Sequence, residues 1–227
     1  MRLLAIDTAL AACAAAVLET GRGILASESL PMVRGHAEAL IPLVSRVMKR
    51  AETAFGELDR LVVTTGPGSF TGVRVGLAAS RGFGIARDLP VVGVSTLAVY
   101  AAPYLAVSNN KRAVVAAIDA RHANVYLQVF GPSGQTLVAP RLAPLSEAVR
   151  AASNAPVCLV GSAAQAIADE LPDDAPAPHV VDARDAPDIV WAAQIGAVTP
   201  EGEAAPHPQY LRAPDAQPQN AAQLPRR

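Results

Sequence analysis

The sequence predicts an α/β protein made of two similar halves, each a mixed sheet flanked by helices, and three observations lead there. Leu3-Leu4-Ala5-Ile6-Asp7-Thr8 and Ala113-Val114-Val115-Ala116-Ala117-Ile118-Asp119-Ala120 are apolar runs of strand character that both arrive at Ile-Asp. Each is followed by a second strand (14–18 and 124–130) and a glycine turn (Gly21; Gly131 and Gly134), so one order of elements occurs twice, as an internal duplication would leave it. Between them, Leu61-Val62-Val63 runs into the glycine-rich stretch Thr64-Thr65-Gly66-Pro67-Gly68-Ser69-Phe70-Thr71-Gly72-Val73-Arg74-Val75-Gly76 and then a long apolar segment, 73–86, a strand–turn–helix unit. With 227 residues and 51% hydrophobic content, the chain has material for one large domain or two small ones.

Taken in order, the first strand is followed by 14–19, a Gly21-Arg22-Gly23 hairpin turn and 24–30, an antiparallel meander. Residues 36–51 have helical spacing, with Ala37, Leu40, Ile41, Val44 and Met48 on one apolar stripe and Pro42 inside it, where a bend is expected. The helix after the glycine-rich turn is unusual: Gly72, Gly76, Ser80 and Gly84 recur every four residues, while Val73, Leu77, Phe83 and Ile85 are apolar. An interior glycine costs a helix about 1 kcal/mol relative to alanine. Its repetition implies close approach by another element, of the same domain or of a partner. Residues 89–94 form a strand, and Ser95 caps a helix over 96–104. The polar Val107-Ser108-Asn109-Asn110 marks a boundary between a first lobe, 1–107, and a second, 108–212. In the second lobe 145–152, 163–171 and 188–197 are helical, with strands at 157–161 and 179–181. Beyond Pro200 only Tyr210-Leu211-Arg212 offers anchors, and 213–227 is expected to be a disordered tail.

Composition excludes several classes. The net charge of −1 argues against broad electrostatic binding to bare nucleic acid. Cys13 and Cys158 have no C-x-x-C or histidine companions, which suits two reduced, buried thiols in a reducing, cytoplasmic compartment. Leu10-Ala11-Ala12-Cys13 imitates a lipoprotein cleavage site, but Asp7 and Thr8 interrupt the preceding run, and a strand alternating through Leu4, Ile6 and Thr8 accounts for the same letters. No apolar stretch has the length of a membrane span.

The glycine-rich turn points backbone N–H groups and a helix N-terminus at one spot, which suits an anion or a closely packed backbone. It lacks the Gly-Lys-Ser/Thr ending of a P-loop, and its third glycine is one place late for a dinucleotide fingerprint. Asp7 and Asp119 each end a strand: placed on one cleft they could hold a metal–phosphate, whereas singly each would only bond the turn that follows. His36 has Leu40, not a second ligand, one turn on, so no metal site is expected. Asp7, His36 and Ser69 have the residue types of a hydrolytic triad, but Ser69 is not in a G-x-S-x-G elbow. Arg74 and Arg81, seven apart on one helix face, suit either a partner's carboxylates or phosphates or a solvated edge. His122, His179 and His207 carry no assignable role.

Gly66-Pro67-Gly68-Ser69-Phe70-Thr71-Gly72-Val73-Arg74, with the Ile6-Asp7 strand, His36-Ala37-Glu38, Ile118-Asp119-Ala120-Arg121 before Val125-Tyr126, and Pro208-Gln209-Tyr210-Leu211-Arg212, resembles the TsaB family over essentially residues 1–212. The resemblance implies two actin/Hsp70-like lobes related by duplication. It implies a non-catalytic scaffold in synthesis of N6-threonylcarbamoyladenosine at position 37 of tRNA, paired with the catalytic paralogue TsaD and joined by the ATPase TsaE. Contact with tRNA would be indirect, through that complex. In the family, first-lobe helices form a bundle with a second copy or with TsaD. That assigns His36, Ala37, Leu40, Ile41, Val44, Met48, Arg74, Gly76, Leu77, Ser80, Arg81 and Phe83 to the interface. Val44→Arg or Gly76→Leu would then break pairing and spare the fold. Asp7, Gly66, Gly68, Ser69, Gly72 and Asp119 would be a vestigial nucleotide or anion cradle, with no tightly bound cofactor and room for a nucleotide only at the complex interface. The paralogue's metal-binding histidines, four apart on the first helix, have no counterpart because Leu40 follows His36. The rival from another class is a small actin-like ATP-dependent kinase acting alone through Asp7 and Asp119.

Overall fold

The first strand, β1 (Arg2–Asp7), is apolar without interruption from Leu3 to Ile6 because both its faces are covered. A computed structural model describes residues 1–107 and 111–212; Ser108, Asn109 and Asn110 of the expected boundary and the expected tail, 213–227, lie outside the described residues. β1 sits at the centre of a sheet with β2 (Ala12–Glu19), β3 (Gly23–Pro31), β4 (Arg60–Thr64) and β5 (Val91–Val94), in the order β3-β2-β1-β4-β5. β1 runs antiparallel to β2, from Arg2 opposite Glu19 to Asp7 opposite Ala14, and parallel to β4, which is parallel to β5. Gly21 and Gly23 make the β2–β3 turn at φ +89° and +87°, where a side chain would be strained. Leu4 and Ile6 enter one core and Leu3 and Ala5 another, so the predicted alternation describes one of two buried faces.

The Leu4–Ile6 face is covered by α1 (His36–Arg50) and α2 (Phe70–Arg87). Leu40, Leu43, Val44, Val47 and Met48 of α1 are at most 4% exposed in that core, each contributing roughly 1.5–3 kcal/mol on burial. Ala37 and Ile41 lie at the edge of this stripe, beside Val44 and Met48, and face outward, Ile41 being 53% exposed. The expected stripe therefore mixed two faces. The small residues of α2 also have an internal cause. A Cβ at Gly72 would stand 2.1 Å from the Thr8 carbonyl oxygen, one at Gly76 2.7 Å from Thr8 Oγ1, and one at Gly84 2.8 Å from a Val91 methyl. Glycine there lets α2 lie directly on its own sheet.

After α3 (Thr96–Leu105) the pattern repeats: β6 (Val114–Asp119), β7 (Asn124–Phe130), β8 (Thr136–Pro144), α4 (Leu145–Ala152), β9 (Cys158–Val160), α5 (Ala164–Asp169), β10 (Val180–Asp182) and α6 (Ile189–Val198). The second sheet, β10-β9-β6-β7-β8, has the order and strand directions of the first. The duplicated architecture of two mixed five-stranded sheets flanked by helices is thus present. The last helix of each half, however, packs on the sheet of the other half. α6 places Ile189, Ala192 and Ala193 on Leu3, Ala5, Ala16 and Val62 of the first sheet. α3 places Leu97, Tyr100 and Ala101 on Val114, Ala116 and Ile118 of the second. The two helices also touch each other. Arg60 of β4 donates from Nη1 to the carbonyls of Gly196 (2.9 Å) and Thr199 (2.8 Å), capping α6 at its C-terminal end. A cut at 107/108 does not divide these cores, and α6 belongs to the first lobe's packing. Cys13 and Cys158 are free, buried thiols, and no helix among the described residues is long and apolar enough to cross a membrane.

Candidate functional site

The glycine-rich turn is bound to the β1–β2 turn. Ser69 N donates to Ala9 O at 2.7 Å, Thr8 Oγ1 donates to Gly72 O at 2.6 Å, and Ser69 Oγ accepts from Gly72 N at 3.3 Å as the N-cap of α2. A Cβ at Gly68 would lie 2.3 Å from Ala9 O, so Gly68 and Gly72 are glycines because two backbones meet there. Gly66, at φ +97°, shapes the turn and accepts from Thr96 N. The amides of Ser69, Gly72 and Val73 are consumed internally. Close packing of two backbones accounts for the glycines of this stretch.

The two strand-ending aspartates have separate fates. Asp7 is 1% exposed and accepts from Thr64 Oγ1 and from Ala9 N, the latter at 2.9 Å. Burial pushes its pKa up against the opposing pull of those hydrogen bonds and of His36. Asp119 is exposed and accepts from Arg121 N at 2.8 Å. It lines a cleft of about 420 Å³ between the lobes, with Leu10, His36 and Phe70 on one side and Arg121 and Tyr126 on the other. Asp7 does not line this cleft, so the pair cannot share a metal–phosphate there. His36 is 8% exposed, with Nε2 3.0 Å from Leu10 O. Asp7, His36 and Ser69 each bond to other groups, and no triad is assembled. On the cleft's far wall Arg121, His122 and Ala123 stand consecutively at φ 64°, 54° and 55°. Three left-handed non-glycine residues cost roughly 1–2 kcal/mol each.

Residues 206–212 form a strap over α2. Arg81 Nη2 donates to Pro206 O at 2.6 Å, Gln209 N to Thr65 O at 2.7 Å, and Arg212 Nη1 crosses to Ala120 O at 3.2 Å. Arg74 Nε donates to Tyr210 Oη at 2.8 Å while its guanidinium lies 3.7 Å from the Phe70 ring centre. Phe70 and Tyr210 stack at 5.7 Å. Both arginines therefore hold the strap to α2. The Tyr210 anchor was visible in the sequence; what it anchors to was not.

Of the residues expected at an interface, Leu40, Val44, Met48, Gly76, Leu77 and Ser80 are buried in the first lobe, because the sheet beneath them takes that face of each helix. Phe83 is half-buried against Phe55, their ring centres 5.1 Å apart. Ala37 and Ile41 do face out, beside Ser45, and α2 presents Thr71, Ala78, Gly82 and Ile85 on its outer side, Ile85 being 86% exposed. Arg74, tied to Tyr210, stands on the same side of α2, and Glu38 lies one turn before Ile41; Arg46, on the flank of α1, is turned to Glu28 of β3 at 2.6 Å. Ala78, Gly82 and Ile85 were missed, although their spacing marks a second face of small and apolar residues opposite the glycine stripe.

A family model described as "TsaD: tRNA N6-adenosine threonylcarbamoyltransferase" matches residues 23–169. The Escherichia coli K12 tRNA threonylcarbamoyladenosine biosynthesis protein TsaB is 39% identical over 126 residues, 56% of this chain and 53% of that protein. The Haemophilus influenzae protein of the same name is 36% identical over 126 residues, 56% of this chain and 52% of that one. The matches thus span about half the length of these relatives. Among solved structures, YeaZ from Pseudomonas aeruginosa aligns with a TM-score of 0.72 at 28% identity, covering 92% of this chain and 99% of that one. A Pseudomonas aeruginosa protein described as similar to peptidase YEAZ aligns with a TM-score of 0.77 at 29% identity, covering 93% and 99%.

Proposed function

Because the chain belongs to the TsaB/YeaZ branch of the tRNA N6-adenosine threonylcarbamoyltransferase family, we propose that it is a non-catalytic scaffold and activator in threonylcarbamoyladenosine synthesis. It pairs with a TsaD-type catalytic paralogue, and with a second copy of itself when that paralogue is absent. A TsaE-type ATPase joins the pair, and the assembly works in the cytoplasm. The observation that carries this reading is the set of exposed apolar and small residues on the outer side of α1 and α2. Ile41 and Ile85 stand in water at 53% and 86% exposure, and the exposed small residues Ala37, Ala78 and Gly82 on the same two helices let another helix approach closely. A pair of partner helices laid on this strip would make a four-helix bundle. The kinase alternative needs Asp7 and Asp119 on one cleft, and only Asp119 lines it.

The test is mass by light scattering, first of the chain alone and then with its cognate TsaD-type subunit. Ile41→Arg and Ile85→Arg should each leave the melting temperature nearly unchanged, since surface substitutions usually cost within about 0.5 kcal/mol, yet abolish both assemblies. Wild-type masses for both variants would remove the strip from the interface. ATP turnover by the chain alone would instead favour the kinase.

A further inference from the structure

Phe70 and Tyr210 are large aromatic side chains that the fold leaves 59% and 50% exposed, stacked on each other and tied by Arg74. They adjoin the mouth of the interlobe cleft, which Phe70 itself lines. The chain as a whole has a net charge of −1, yet Arg121 and Arg212 line this cleft, Arg74 lies over the Phe70 ring at its edge, and Arg34 lines an adjoining pocket that shares His36 and Ser69 with it, against Asp119 and Glu38. Arg121 is held there by three successive left-handed residues where glycine would be relaxed but would carry no guanidinium. Exposed rings interleaved with guanidinium groups are the means by which proteins hold single-stranded RNA: bases stack on the π faces and on arginine planes, and phosphates meet the charges.

We propose that this mouth is a direct contact site for an unpaired segment of RNA, one base stacking on the Phe70–Tyr210 platform and the neighbouring phosphates meeting Arg121 and Arg34. A free nucleotide fits less well, because the Ser69, Gly72 and Val73 amides of the glycine-rich turn are already bonded to Ala9 O and Ser69. The positive groups are instead spread around the rim, as they would be to follow a backbone. An apolar peptide fits less well because the rim is charged. The strap completes the site by supplying Tyr210 and Arg212. Only the choice of RNA rests on the family reading; the pairing strip plays no part in it.

The experiment uses the full chain, alone and with its TsaD-type subunit, and a tRNA anticodon stem-loop whose loop carries the photoreactive base thiouridine. Crosslinks should map to the peptides containing Phe70 and Tyr210, and affinity should fall as salt rises. Phe70→Ala and Arg121→Glu should each weaken binding about tenfold, while Tyr210→Phe, which keeps the ring, stays within about twofold. Complex mass by light scattering should be unchanged in all three. Crosslinks elsewhere, no binding in either setting, or wild-type affinity for both Phe70→Ala and Arg121→Glu would overturn the site while leaving the pairing proposal intact. Loss of the TsaD-type complex with RNA affinity preserved would show a protein contact instead.

Discussion

Replacing Gly72 by alanine puts one methyl group where the Thr8 carbonyl oxygen stands. The added Cβ would be 2.1 Å from that oxygen and 3.3 Å from the Ser69 Cβ, and neither neighbour is the tip of a flexible side chain. Ordinary contact requires the start of α2 and the β1–β2 turn to separate by roughly 1.3 Å, which also strains the 2.6 Å bond from Thr8 Oγ1 to Gly72 O. Overpacking of this kind costs about 1–3 kcal/mol and the lost bond about 1 kcal/mol, offset by up to about 1 kcal/mol of helix propensity. The net loss is about 1–3 kcal/mol, or roughly 3–10 °C in melting temperature for a chain of this size. Gly82 is the control on the same helix: its Cβ would meet nothing within 4 Å, so alanine there should raise the melting temperature by about 1–4 °C. Both are measured by circular dichroism at a dilution where the mass is that of one chain. Gly72→Ala melting at or above wild type would refute the account of why the turn is glycine-rich.

Three other outcomes follow from particular contacts. Asp7 has a folded-state pKa raised by burial, so the folded state binds more protons than the unfolded one above the ordinary carboxylate value. Wild-type stability relative to Asp7→Asn should therefore fall as pH rises from about 4 through the folded-state pKa, read as urea midpoints across pH; a constant difference would contradict it. Arg60→Ala removes the cap of α6 and should cost about 2–4 kcal/mol, measured by urea unfolding, because charge-assisted bonds to two carbonyls are lost. The Cys13 thiol, fully buried, is pushed up to about 11, and Cys158 is raised by the same cause. Neither should react with iodoacetamide at pH 8 unless denaturant is added, as mass spectrometry would show.

The duplication was legible because a central strand covered on both faces must be an unbroken apolar run, and Leu3–Ile6 and Val114–Ile118 both are. Legibility stopped where the answer depended on what lies opposite. Spacing placed Leu40, Val44 and Met48 on a stripe, but Ile41 and Ala37 were drawn into it in place of Leu43 and Val47; only the position of β2 and β3 decides between those faces. The glycines of α2 announced a close approach without saying whose. The answer is Thr8, whose carbonyl meets Gly72 and whose hydroxyl meets Gly76, and Val91 at Gly84, all within the same lobe, so Gly76→Leu and Val44→Arg would damage the fold and not merely the pairing. Asp7 and Asp119 are equivalent in the repeat, yet the long turn after β4 docks beside Asp7, whereas after β9 the counterpart is Gly161-Ser162. There Ser162 Oγ accepts from Asp119 N at 3.1 Å and the carboxylate stays open.

The sharing of α3 and α6 between the sheets has a consequence for synthesis. Leu3, Ala5, Ala14, Ala16, Leu18, Val62 and Val94 form a finished apolar sheet surface once β5 has left the ribosome, but their cover, Ile189–Val198, is encoded almost a hundred residues later. At about 5–20 residues per second, that surface waits roughly 5–20 s for its own helix. During that interval the nascent chain presents the kind of apolar face that trigger-type chaperones shield and that crowded, unshielded chains aggregate through.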